Sequence, residues 1–415
     1  MKQKAVLAGN PHAWVGNTEV WGEEMVFDTA AVSAELATGG VRINFIAREG
    51  GNQYHGSLFG SFANDAFQGT NIGDDLLARN PALINAGGVD KNWDFNPGIG
   101  GPLKRDKVWF FASGRYQGAY LFAPGMFYNQ NANNPARWDY VPDLSNPASV
   151  EKVWKDAQLR LSWQASQKNK IGFTYTQQDF CACHDAITAT VAPEAANDRR
   201  FPTQRVLLVD WTSPVTNRLL IEASGIHRVE RWGNMHLQTK GLELDPQMIG
   251  VVEQGGAIPT LRYRGATEST ANAGGTYNNS WNDNFHWRFH TSYITGSHAF
   301  KVGINDAIGY HDNTTYVPNP LSYRFNNGVP NQITLRALPH TVKSHVDHDL
   351  GIFAQDKWTL GRLTLSGGIR YDYHANSFPE QTLGPTFATP TRNFVFPEQD
   401  NLSYHDITPK SQAVV

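Results

Sequence analysis

The sequence predicts an all-β chain: an antiparallel, up-and-down transmembrane β-barrel, present in part. Three observations predict it. Apolar and polar residues alternate with a period of two, connections are in turn very short and very long, and aromatic residues reach 12%. Leu103–Asp106, Gln167–Asn169, Pro214–Thr216, Thr295–Ser297 and Thr359–Arg362 read as tight turns. The stretches 64–93, 119–156, 181–202, 232–283, 311–346 and 375–402 read as long polar loops rich in Gly, Asn and Pro. Turns at one end and loops at the other are how a membrane-spanning barrel is strung. A soluble sandwich scatters its long connections over both ends.

Each strand carries two different faces. Leu363, Leu365, Ile369, Tyr371 and Tyr373 alternate with Thr364, Ser366, Arg370, Asp372 and His374. Leu159, Leu161 and Trp163 oppose Gln158, Arg160 and Ser162, and Phe285, Trp287 and Phe289 oppose His286, Arg288 and His290. Successive side chains of a strand point to opposite sides, so one face is apolar and the other polar. In a barrel the apolar face meets lipid and the polar face lines a wet lumen. Segments of roughly 10–14 residues, longer than the 5–6 usual in globular sheets, fit a membrane crossing. About a dozen are expected, beginning near Gln53, Asp94, Lys107, Ala157, Lys170, Gln204, Asn217, Asn284, His298, Asp347, Leu363 and Ser403. Residues 17–50 differ: Gly39–Gly50 reads as one glycine-bounded strand closing a separate domain.

Composition narrows the function classes. A net charge of −3 gives no basis for nucleic-acid binding. A mean hydropathy of −0.44 leaves no stretch near the roughly 20 apolar residues of a membrane helix, but barrel strands need only about 9–11 alternating ones. No apolar run follows Met1–Ala5, so no signal peptide is expected in this sequence.

Candidate chemistry is sparse. Cys181 and Cys183, expected at the head of a long loop with His184, make an incomplete metal set and suggest either a loop disulfide or two ordinary thiols. His340, His345 and His348, beside Asp347 and Asp349, resemble a ligand cluster, but strand alternation places His345 and His348 on opposite faces. Arg160, Glu222, Arg288, His290, Arg370 and Asp372 fall on lumen faces, as contacts for a plug or ligand or as cross-strand pairs within the wall. Arg42 and Arg48 lie on the Gly39–Gly50 segment. Nucleophile-elbow, zinc-protease and phosphate-loop motifs are absent, so no enzyme activity, cofactor or metal is expected.

Three stretches carry a resemblance. Thr38–Asn52 (TGGVRINFIAREGGN) followed by Tyr54–Phe59 (YHGSLF) resembles the plug-to-barrel junction of TonB-dependent receptors, in particular the Oar-like branch with its carboxypeptidase-regulatory-like domain. Gly98–Phe111 (GIGGPLKRDKVWFF) resembles that branch's second strand, turn and third strand. Leu350–Leu360 (LGIFAQDKWTL), with Leu363–Tyr373, resembles a hairpin common to the class. The resemblance implies an outer-membrane receptor with a plug inside a barrel of roughly 22 strands. It also implies an inner-membrane energy-coupling partner and ligand capture on the long loops. On this basis residues 1–52 are expected to be the C-terminal remnant of the plug and 53–415 the N-terminal part of the barrel, an internal fragment with about twelve strands. Two rivals stand beside it: a soluble all-β carbohydrate-binding protein or glycosidase, and a passive porin. The soluble rival requires Trp163, Trp287 and Phe289 to be buried under a second sheet or gathered in a cleft; the barrel requires an outward apolar band.

Overall fold

The computed structural model describes residues 48–414, apart from 70, 82, 84–86, 239–242, 244, 266 and 268–275, and the backbone of short strands between Lys4 and Arg42. By internal contacts the chain divides into Met1–Glu49 and Gly50–Val415. In the first unit Lys4–Ala8 pairs with Glu24–Asp28, His12–Val15 with Thr18–Trp21, and Glu35–Ala37 with Gly40–Arg42. Of the strand expected over Gly39–Gly50, Gly40–Arg42 is described and is strand, residues 43–47 lie outside the described residues, and Arg48 is exposed and outside any strand. The side chain of Arg42 lies outside the described residues, as does most of the segment expected to be the plug remnant.

The second unit is one antiparallel sheet of 12 strands. They are β1 (His55–Asn64), β2 (Gly88–Lys104), β3 (Val108–Asn129), β4 (Pro142–Ser166), β5 (Asn169–Asp185) and β6 (Asn197–Pro214). The others are β7 (Leu219–Met235), β8 (Tyr277–Thr295), β9 (His298–Tyr316), β10 (His340–Leu360), β11 (Leu363–Phe378) and β12 (Gln399–Val414). Each pairs with its neighbours in sequence, so the sheet is an up-and-down meander with β1 and β12 as open edges. No described helix is long and apolar enough to cross a membrane.

Strand starts that follow a tight turn agree with the sequence expectation within two residues, at Val108, Asn169, Leu219, His298 and Leu363. Starts that follow a long loop come earlier than expected: Gly88 rather than Asp94, Pro142 rather than Ala157, Tyr277 rather than Asn284. The strands reach 25 residues in β4 and 22 in β3, well beyond the expected 10–14, and the loop expected over 119–156 shrinks to 130–141. The wall continues past the membrane on the loop side, where water replaces lipid and the apolar-outward pattern is no longer required.

Cross-strand register shows how the faces are built. One row runs Trp163, Ile171, Trp211, Ala223, Phe289, Ile304, Ile352, Tyr371 and Ile407 from β4 to β12, every member apolar or aromatic. The row one residue along runs Ser162, Gly172, Asp210, Ser224, Arg288, Asn305, Gly351, Asp372 and Asp406, with no large apolar member. Trp163, Trp287 and Phe289 are 45%, 36% and 41% exposed, so no second layer of described residues covers them. That excludes the packing required by the soluble rival. In lipid only closed or internally satisfied backbone is stable, and each inner strand of this sheet pairs on both sides, with bulges at a few positions, while the two edge strands pair on one.

The buried core lies at the loop end instead. Met126, Ala148, Ala192, Val251, Tyr263 and Phe325 pack together from the outer ends of β3 and β4 and from three long connections. A four-stranded sheet formed by Arg262–Tyr263, Gly250–Glu253, Leu321–Asn326 and Val329–Leu335 ties two of those connections together. The long loops therefore form a packed cap rather than separate arms.

Candidate functional site: the inner face of the wall

The polar row and its neighbours bring five of the six expected lumen residues into acid–base pairs, two of them across strands and one within β11. Arg160 is buried; its Nη1 donates to Thr174 Oγ1 at 2.9 Å and to Asp210 Oδ1 at 3.2 Å. His290 Nε2 lies 2.7 Å from Glu222 Oε2. Arg370 Nε donates to Asp372 Oδ1 at 2.7 Å, and its Nη1 reaches Asn305 Oδ1 at 3.5 Å. Arg288 differs: its Nε donates to Ser224 Oγ at 2.8 Å, its side chain is exposed, and among the described residues no carboxylate pairs with it. Glycine makes room for two of these side chains. A Cβ on Gly172 would meet the Asp210 carboxylate, and a Cβ on Gly351 would meet the Arg370 guanidinium. Charged groups thus lie flat across the wall over positions that carry no side chain.

Sequence reasoning missed two further features of this face. Arg115 grips Asp94 with two parallel bonds, Nε to Oδ1 at 3.0 Å and Nη2 to Oδ2 at 2.6 Å. The partners lie on different strands, and only the register brings them together. Higher on the wall, Trp154, Phe180, Phe201 and Trp232 form an aromatic ladder across β4 to β7, with centroids 4.3, 5.6 and 6.1 Å apart along the series. Arg199 lies over the Phe201 ring at 5.7 Å. A bulge between Arg200 and Thr203 keeps Phe201 paired with Phe180 on the inner face. Trp154, Phe201 and Trp232 all fall in stretches expected to be loops. At this height the outer face carries Lys155, Asp179 and Arg231 while the inner face carries the rings, so the alternation persists with its sense reversed. That reversal is the signal that could have found them.

Two expectations are corrected here. Cys181 and Cys183 are disulfide-bonded and lie within β5 rather than in a loop, because β5 continues to Asp185. His345 and His348 share the outer face, since a bulge at Asp347 inserts one residue between them. They still do not converge: His345 packs against Tyr310 and His348 Nδ1 pairs with Asp306 at 2.9 Å.

In the cap, Glu194 is wholly buried, and burial pushes its carboxyl above the usual carboxylate range despite Asn129 donating to it at 2.7 Å. Arg264 lies over the Trp138 ring at 3.9 Å and donates to the carbonyl of Asn134 at 3.2 Å. These bonds join three connections and hold the cap in one arrangement.

Known proteins share this architecture. Residues 117–413 match the family described as outer membrane beta barrel domain. Over 76 residues the chain is 34% identical to the TonB-dependent transporter Oar of Myxococcus xanthus, a match covering 18% of this chain and 7% of Oar. The ferric yersiniabactin uptake receptor FyuA of Yersinia pestis superposes with a TM-score of 0.52 at 9% identity, covering 89% of this chain and 46% of that one. The ferripyoverdine receptor of the Pseudomonas aeruginosa outer membrane gives 0.50 at 12% identity, covering 90% and 42%. The chain therefore spans less than half the length of either receptor. Sequence likeness to an Oar-type transporter and fold likeness to outer-membrane receptors agree with the apolar and polar rows of the wall. The chain belongs to the outer membrane beta barrel domain family, and its sheet is barrel wall of the Gram-negative outer membrane.

Proposed function

We propose that this chain is the N-terminal part of the barrel of a TonB-dependent receptor, working by ligand capture and import with no catalytic step of its own. Residues 1–52 supply the C-terminal end of a plug domain and 53–415 the N-terminal part of the barrel. The observation that carries this reading is the polar row from Ser162 to Asp406, which lines the face opposite the lipid band and gives a plug a hydrated, charged surface to rest on. Arg288 is the inner-face cation best placed to touch a plug carboxylate or an anionic ligand, because its neighbours leave it without a counter-charge in the wall. Above it, the cap and the aromatic ladder receive the ligand, and energy for moving the plug comes from an inner-membrane coupling complex of the TonB type.

Planar-bilayer conductance of the full-length gene product tests this reading. The receptor predicts a pore that conducts little until the plug is deleted. A passive porin predicts a steady open conductance in the intact protein, and that result would overturn the proposal.

A further inference from the structure

Above the lipid band, near the outer end of β5, Cys181 and Cys183 lie on one side of the strand with Cα atoms 5.2 Å apart. Asp198, at the start of β6, is wholly buried beside them, and a carboxylate oxygen and both sulfurs all lie within 4.8 Å of one another. The carboxylate is fixed from several sides. Its Oδ1 accepts the His184 N–H at 3.2 Å, and its Oδ2 accepts the Gln238 N–H at 3.0 Å and faces Arg200 Nη2 at 3.2 Å. His184, next in sequence to Cys183, is also wholly buried, but its ring nitrogens lie outside that set of three. A neutral disulfide gives the Asp198 carboxylate nothing to bind.

We propose that the reduced form of this cluster is a cation site, in which Cys181, Cys183 and Asp198 hold one soft divalent ion of the zinc or cadmium kind and a fourth position is left to solvent. Thiolate sulfur and carboxylate oxygen are donors that such ions take. The charges favour a divalent ion. Two thiolates and a carboxylate carry −3, the ion +2 and Arg200 +1, which leaves the buried cluster neutral; a monovalent ion would leave it negative. The site opens by thiol–disulfide exchange. Two equivalents of a small-molecule thiol pass through a mixed disulfide and leave as its own disulfide, and the two protein thiols so formed lose their protons to water as the ion binds. Metal occupancy at the outer rim is thereby tied to the thiol state around the protein. This inference does not depend on the transport reading.

The test uses the full-length gene product in detergent, reduced with a water-soluble phosphine and titrated with cadmium while thiolate-to-metal absorption in the ultraviolet is followed. One equivalent should saturate the reduced protein, and the oxidised protein should show no such band. Cys181→Ser with Cys183→Ser should abolish the band, and Asp198→Asn should weaken binding about 10–100-fold with the protein still folded by heat-modifiable gel mobility. Reduced protein that binds cadmium no better than the double serine variant would overturn the proposal. So would a stoichiometry of one ion per two chains, which marks bridging between molecules.

Discussion

Gly351 has no side chain where the Arg370 guanidinium lies, and this substitution of empty space for a Cβ is how the wall holds charge flat against itself. Gly351→Ala should displace Arg370 from Asp372 and Asn305 and lower stability by about 1–2 kcal/mol. In an Arg370→Ala background the same change should cost almost nothing, a coupling that a double-mutant cycle of urea unfolding in micelles would show. Glu194 gives a second prediction at this scale. Burial raises its folded-state pKa above the 4.5 of an ordinary glutamate, so the fold favours the protonated acid. The stabilisation is complete below the unfolded value and is lost as pH rises through the raised folded one. The cap should therefore become more susceptible to protease between 186 and 196 as pH rises through that window, and Glu194→Gln should flatten the dependence. Single residues of this kind are poorly legible in sequence. Arg160, Glu222, His290, Arg370 and Asp372 could be assigned to the inner face from alternation alone. The further partners Asp210 and Asn305 could not, because they reach Arg160 and Arg370 only through register.

A strand of this wall has two regimes, and the sequence shows one of them plainly. Within the lipid band every outward residue of β8 from Phe285 to Phe289 must be apolar, so the period of two is strong and the strand can be read directly. Beyond the band, at Asp283 and above, the outer face turns polar and the rings of Trp154, Phe180, Phe201 and Trp232 turn inward. A pattern that reverses midway looks like a loop, which is why the loop-side strand ends were placed several residues late. Bulges defeat alternation in the same way: one extra residue at Asp347 moves His345 and His348 to a common face. The two faces predict opposite responses to one substitution. Ile304→Arg, on the apolar row, should destabilise the inserted wall by about 2–4 kcal/mol, whereas His286→Arg, on the inner face of the adjacent strand, should lie near zero. Folding titrations into vesicles from urea would compare the pair.

At the scale of the molecule, the sheet is an open wall whose apolar side needs lipid and whose edge strands, β1 and β12, each pair on one side among the described residues. The turn-and-loop asymmetry announces that architecture in the sequence, since hairpin turns and long connections fall at opposite ends. The packed cap is not announced, because its core is assembled from Met126, Ala192, Val251 and Phe325, residues of different connections with no common periodicity. Everything proposed for transport depends on which side of the wall meets lipid. Spin labels placed singly from Phe285 to His290, in a Cys181→Ser, Cys183→Ser background of the full-length gene product in bilayers, measure this by collision with oxygen and with a water-soluble nickel complex. Oxygen contact should peak at 285, 287 and 289 and nickel contact at 286, 288 and 290. Odd positions shielded from both probes, or no alternation at all, would contradict a lipid-facing band and return the sheet to a soluble fold.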